Sequence, residues 1–291
     1  MIPPPFEYYA PHSVDEAVAL LRRFDGEAKV LAGGHSLIPL MKLRLAQPTA
    51  LVDINRIPNL AYIREEGNHL RIGATTRTND LLESALIRKS YPILTDAAQE
   101  IADPLVRNLG TVGGNVCHGD PGNDLPACML ALGAEVVAVG EKGSRTLPVS
   151  DFYKDTFVTS LEPTELLVEV RIPKARPHQG SAYHKIEKRA GDFAMAGAAA
   201  NLVLDASGKV ESAGIALTNV GPTAILASAA GGSLVGQAPD EAHLAHAASL
   251  ARDAAQPNGD LRGPVEYKRA MAAVLARRVL DRAVARAQGG A

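Results

Sequence analysis

The stretch Lys29-Val30-Leu31-Ala32-Gly33-Gly34-His35-Ser36 reads as a short buried strand that stops at a glycine pair, with Ser36 placed to cap a helix running to about Leu45. A second glycine pair lies in Thr111-Val112-Gly113-Gly114-Asn115, followed by the turn residues Asp120-Pro121-Gly122-Asn123-Asp124 and an apolar helix over about 125–132. Glycine admits positive φ and lets backbone approach a bulky group, so successive N–H groups can converge on phosphate oxygens. A strand, a glycine turn and a helix start favour an anion, and two such loops imply a ligand with two phosphates.

Working outward, Ser13-Val14-Asp15-Glu16 is a capping box that opens a helix with an apolar face of Val14, Ala17, Val18 and Leu21. Leu51 to Ile54 reads as a strand, and 62–64 pairs with 70–72 as a hairpin across Gly67-Asn68. Helical patterns cover about 79–85 and 93–101, and strands cover 135–139 and 166–172. Pro173-Lys174-Ala175-Arg176-Pro177 has linker composition and sets a boundary, giving domains at 1–177 and 178–291. Beyond it, strands near 182–188, 194–205 and 210–219 suggest an antiparallel meander turning at Ser207-Gly208, after which helices dominate up to a final one over about 264–287. The fold class is α+β.

Composition narrows the function. Thirty Lys and Arg against thirty-two Asp and Glu leave a net charge of −2, so no global field favours nucleic acid or an anionic membrane. The absence of Trp and the 4% aromatic content remove the stacking platforms of a single-strand binder. The first residues have neither a charged n-region nor an apolar h-region, and the longest apolar stretch is interrupted at Asn201, so the chain reads as soluble and unexported. Cys117 and Cys128 form no CxxC set, and His243 and His246 lack a third ligand, so no metal is expected on this chain. Neither GxGxxG nor GxxxxGK[ST] occurs, which weakens the Rossmann and P-loop alternatives; without GxSxG or a local nucleophile arrangement, no catalytic residue is assigned. His35 stands where it could donate to a phosphate or flank a ring. Asp124 is either a helix cap or a carboxylate accepting from a ribose, and Lys185 lies in an ordinary charged strand.

Ala32-Gly33-Gly34-His35-Ser36-Leu37-Ile38-Pro39, Ile101-Ala102-Asp103-Pro104, Thr111 to Asn115 and Gly119 to Asp124 resemble the FAD-binding medium subunits of the molybdenum hydroxylases, the xanthine dehydrogenase family, and most of all its carbon monoxide dehydrogenase branch. The resemblance runs from Phe6 to Pro264. It implies a two-subdomain flavin domain of the vanillyl-alcohol oxidase or cell-wall-reductase (PCMH) type, followed by a C-terminal three-stranded antiparallel sheet with helices. It further implies that Ala32, Gly33, Gly34, His35 and Ser36 face Thr111, Val112, Gly113, Gly114 and Asn115 across the FAD diphosphate, that Asp124 matches the acidic position after the second loop, and that Leu167 and Lys185 contact the flavin end. Phe193 departs from the related chains in its aromatic, at a position the resemblance places near the isoalloxazine, and Cys117 and His118 receive no role.

The same resemblance implies partners: a large molybdenum–pterin subunit and a small subunit with two [2Fe-2S] clusters, in a dimer of heterotrimers in the cytoplasm. Electrons would pass from the clusters through FAD to a quinone or similar acceptor, with peripheral association at the inner face of the membrane. Rival readings are a sister subunit serving an N-heterocycle or an aromatic acyl-CoA, a stand-alone flavin oxidase, and a non-catalytic scaffold.

Overall fold

The computed structural model describes residues 2–290; Met1 and Ala291, the outermost residues of the two expected domains, lie outside them. The chain opens with β1 (Glu7–Tyr9), α1 (Val14–Arg23), β2 (Ala28–Leu31), α2 (Leu37–Lys42) and β3 (Ala50–Asp53). The strands form a parallel sheet in the order β1-β3-β2, and α1 covers it with Ala17, Val18 and Leu21. The Ser13 side chain accepts from the Glu16 amide as its spacing predicts, while the Glu16 carboxylate takes the amide of His12. Helix α2 ends earlier than the sequence suggests, and Ser36 makes no side-chain cap bond.

The middle of the chain begins with β4 (Ile63–Glu66) and β5 (His69–Gly73), joined by the expected hairpin turn. Six short helices follow: α3 (Thr78–Glu83), α4 (Ala85–Ser90), α5 (Pro92–Glu100), α6 (Pro104–Leu109), α7 (Val112–His118) and α8 (Asp124–Ala131). Then come β6 (Glu135–Gly140), β7 (Gly143–Pro148), the small hairpin of β8 (Tyr153–Asp155) and β9 (Val158–Thr159), and β10 (Leu166–Pro173). The resulting antiparallel sheet runs β4-β5-β10-β6-β7, and one face packs Leu70, Ile72, Val136 and Val170 against the helices. The second glycine pair is therefore inside the first turn of α7 rather than in a loop. Two glycines in sequence are poor helix formers, but tertiary contacts override that propensity here.

The last part contains β11 (Gln179–Ile186), β12 (Ala196–Leu204), β13 (Val210–Thr218), β14 (Ile225–Leu226), α9 (Ser228–Leu234), α10 (Glu241–Ala254) and α11 (Val265–Ala287). The meander turns at Ser207-Gly208 as expected, but the sheet has four strands, not three. The extra strand, β14, is two residues long, too short to carry an alternating pattern. Helices α10 and α11 close the core with Leu244, Leu275, Val279 and Leu280.

A buried ionic clamp joins α5, β11 and α11. Asp96 receives Arg286 at 2.7 and 3.0 Å, Arg282 at 3.2 Å and the Tyr183 amide at 3.2 Å. One turn along α5, Glu100 accepts from the Lys185 amide at 3.1 Å and pairs with His184 at 2.9 Å. Strand β11, which carries Lys185, is thus held to α5 at Tyr183 and Lys185. Among the described residues no helix is long and apolar enough to cross a membrane.

Candidate FAD site

A cavity of about 790 Å³ lies where the three sheets meet, in the upper part of the range of roughly 300–1,000 Å³ usual for ligand pockets. All of the residues singled out from the sequence except Val112 line it: Ala32 to Ser36, Thr111, Gly113, Gly114, Asn115, Asp124, Leu167 and Lys185. Val112 is fully buried behind them in the core.

The first glycine segment is rich in free donors. None of the amides of Gly33, Gly34, His35, Ser36 and Leu37 donates to an acceptor among the described residues, and all five residues line the cavity. Gly34 has φ of 75°, a conformation that side chains rarely adopt. Gly33 is required for a different reason: a Cβ there would sit 2.4 Å from the Leu109 carbonyl oxygen and 2.8 Å from the Gly110 Cα, so the two glycine segments abut through backbone.

The second segment has its amides occupied. Val112 donates to the Thr76 carbonyl and Gly113 to the Ala74 carbonyl, both at 2.9 Å, Gly114 donates to the Thr111 hydroxyl at 3.1 Å, and Asn115 donates to the Thr111 carbonyl at 2.9 Å. The implied picture of free amides converging from both glycine segments is corrected for 112–115: amides without an intrachain acceptor occur at 33–37 only, because α7 starts on the 74–78 backbone and Thr111 caps it. Gly113 allows this packing; its Cβ would lie 2.7 Å from the Ala74 oxygen. Gly114 is exposed, with only the Thr111 hydroxyl nearby, and presents bare backbone to the cavity. Asn115 adds a buried amide oxygen that has no partner among the described residues.

Asp124 is the first residue of α8, and its buried carboxylate accepts from the Tyr183 hydroxyl at 2.6 Å and pairs with Lys185 Nζ at 3.2 Å. It is not the helix cap; that position belongs to Asn123. Burial raises its carboxyl to about 6 although Lys185 and Tyr183 pull the other way. Lys185 Nζ also donates to the Asp192 carbonyl at 2.9 Å and lies 3.2 Å from Glu187, so it anchors the connection between β11 and β12. That connection carries Phe193, half-exposed at the cavity rim beside Arg262. Tyr183 was not singled out from the sequence, yet strand periodicity puts it on the same face as Lys185 two residues on.

Two nearby side chains offer little chemistry. Burial pushes the Cys117 thiol up to about 12, which removes it as a nucleophile, and holds the His118 imidazole below its usual value. The His118 ring packs 5.1 Å from that of Phe157 at the tip of the β8–β9 hairpin.

The residues present fit a dinucleotide: five unpaired amides suit a diphosphate, the glycines leave room for backbone contact, and Asn115 and the Asp124–Lys185 pair supply polar groups further along the wall. Comparison with known proteins agrees. The family model for the FAD binding domain in molybdopterin dehydrogenase matches residues 4–175, and that for the CO dehydrogenase flavoprotein C-terminal domain matches residues 181–283. The chain belongs to the family of FAD-binding subunits of the molybdopterin dehydrogenases. Within that family it is similar along nearly its whole length to carbon monoxide dehydrogenase medium chains: 49% identical to that of Hydrogenophaga pseudoflava (98% of this chain, 99% of the other) and 46% identical to that of Afipia carboxidovorans (99% and 100%). The solved carbon monoxide dehydrogenase from Hydrogenophaga pseudoflava that lacks the Mo-pyranopterin moiety of its cofactor superposes with a TM-score of 0.95 at 50% identity, covering 98% of this chain and 99% of that one.

Proposed function

We propose that this chain is the FAD-binding, electron-transferring subunit of a carbon monoxide dehydrogenase, in which CO and water become CO2, two protons and two electrons. The observation that carries the reading is the run of five unpaired amides at 33–37 facing Thr111 to Asn115 in a dinucleotide-sized cavity of a chain with this relationship. Ala32 to Ser36 would hold the diphosphate by backbone, Gly114 and Asn115 would close on it from α7, and Leu167, Asp124 and Lys185 would bound the remainder. We divide the chain near residue 177 into an FAD domain and a C-terminal domain.

FAD supplies the electron chemistry, accepting electrons singly and releasing them to an acceptor. The chain's own residues bind and orient it. Leu167 gives an apolar wall, and the Lys185–Asp124 pair fixes the segment that carries Phe193 at the rim. No residue of this chain reacts with CO in this reading. Oxidation belongs to a large molybdenum–pterin subunit, a small subunit with two [2Fe-2S] clusters feeds the FAD, and the complex is a cytoplasmic dimer of heterotrimers. The final acceptor is of the quinone type, reached at the inner face of the membrane.

The test is to purify the chain with the chains that accompany it, add CO without oxygen and follow the visible flavin absorption. Bleaching supports the reading. A flavin-loaded complex that stays oxidised under CO refutes the CO assignment, and a complex without flavin refutes the FAD assignment.

A further inference from the structure

The polar groups outside the cavity contain one arrangement that the FAD reading does not use. Asn55, just after β3, donates from Nδ2 to the Ala32 carbonyl at 2.8 Å and to Asp53 at 2.6 Å. Its Oδ1 accepts from Arg77 Nη2 at 2.8 Å, and Arg77 Nη1 donates to the Leu109 carbonyl. Asp53 is held in turn by the Tyr8 hydroxyl at 2.6 Å. An unbroken line of hydrogen bonds therefore runs from the first sheet through Asn55, which also holds the carbonyl at the base of the first glycine segment, to the carbonyl two residues before Thr111. Neither Asn55 nor Arg77 lines the cavity.

We propose that Asn55 and Arg77 are positioning residues that set the spacing between the two glycine segments, and through it the grip on FAD. The inference rests on the FAD reading above. The two segments belong to different hydrophobic cores, one under the three-stranded sheet and one under the five-stranded sheet. At Leu109 they meet closely enough to exclude a Cβ on Gly33. Such a contact has no tolerance for sliding, and backbone packing alone is non-directional. The guanidinium supplies direction: its two nitrogens reach Asn55 and Leu109 at once, which a lysine ammonium on a flexible stem cannot reproduce in the same fixed fork. Because Asn55 is exposed and Arg77 half-buried, the bridge adds little to global stability. Its effect lies in geometry, where a misplacement of about 1 Å is enough to weaken a site.

The chain, purified with its accompanying chains, is stripped of flavin and titrated with FAD by flavin fluorescence. Asn55→Ala and Arg77→Ala should each weaken FAD about tenfold, and the double variant should be no weaker than the worse single one, since both remove the same link. Arg77→Lys should recover only part of the loss. Arg22→Ala, which breaks the exposed Arg22–Glu141 pair between α1 and the β6–β7 turn, a link between the same two parts of the chain elsewhere, should bind FAD as the wild type does. Wild-type affinity in both single variants overturns the proposal, and so does an equal loss in Arg22→Ala, which would indicate general loosening. If Arg77→Ala fails to fold, Asn55→Asp decides: it keeps a partner for Arg77 but loses the donor to Ala32, and unchanged affinity there overturns the proposal. Wild-type protein that takes up no FAD refutes the underlying reading and this proposal together, whereas loss confined to the variants leaves that reading intact.

Discussion

Around Gly33-Gly34 five successive amides have no acceptor among the described residues, whereas around Gly113-Gly114 every amide of the first helical turn already has an acceptor within the chain. The two segments have similar small, glycine-paired compositions and line the same cavity. The first offers donors; the second offers a surface, built from the bare backbone of Gly114 and the Asn115 side chain. Glycine also has two separate uses within each pair. Gly33 and Gly113 allow backbone to pack on backbone, while Gly34 and Gly114 serve the conformation and the open face. Similar composition therefore does not imply equal electrostatics: the first segment dominates any attraction for an anion.

The largest effects should come from the packing glycines. Gly33→Leu and Gly113→Leu drive a side chain into the backbone of Leu109–Gly110 and of Ala74, neither of which can rotate away. Each should destabilise the flavin-free chain by about 4 kcal/mol, enough to lose folded protein in a urea titration. Were both variants to unfold at the wild-type urea midpoint and lose only FAD, all four glycines would serve the ligand and the division of roles would be wrong.

A somewhat smaller effect concerns the charge behind the second segment. Burial lifts the Asp124 carboxyl from 3.8 to about 6, so the folded state holds this proton more tightly than the unfolded chain does. The contribution is fully present below about pH 4, is lost as pH rises through about 6 and is constant above that. Asp124→Asn has no such titration. Between pH 4 and pH 7, wild type should therefore lose about 2 kcal/mol of stability relative to the variant, as read from urea midpoints at the two pH values. Parallel pH profiles would mean that Lys185 offsets the cost of burial completely.

The start of α1 at Ser13, the hairpin at Gly67-Asn68 and the meander at Ser207-Gly208 were legible because their signals are local: a capping residue, a turn pair, an alternating run. Helix α7 was not, since Gly-Gly reads as a break and the acceptors that fix its first turn, Ala74 and Thr76, are brought in by the tertiary fold. Strand β7 was missed for a related reason. It is a largely exposed edge without a buried stripe, so hydrophobic periodicity has nothing to register. The two glycine segments, His35 and Asp124 were marked by their own residue types, whereas Leu167 and Lys185 were located by resemblance alone. Asn55 and Arg77 carry no local mark, because their meaning exists only once two sheets are adjacent.

Gly114→Ala isolates the open face. Its Cβ would meet only the Thr111 hydroxyl, a side-chain atom that can give way, and alanine favours the helix by about 1 kcal/mol. Stability should stay within about 1 kcal/mol of wild type while FAD affinity falls about tenfold, the reverse of Gly113→Leu. A variant with full affinity would show that the ligand keeps clear of α7.

Thr111→Val is the smallest change and the sharpest for the comparison. It keeps the side-chain shape and removes only the hydroxyl that receives the Gly114 amide, leaving Val112, Gly113 and Asn115 with their acceptors. Loss of such a cap costs about 1 kcal/mol, measurable as a small downward shift of the urea midpoint. The released amide lies on the exposed face of the turn, so the variant also gives the second segment the one feature it lacks. If the first segment alone supplies the donors, FAD affinity should change by less than about twofold, since the ligand is already satisfied at 33–37. A tenfold gain would mean that the diphosphate reaches α7 closely enough to take a donor there. The Thr111 hydroxyl would then compete with the ligand for that amide, and the difference between the two segments would be one of occupancy rather than of construction.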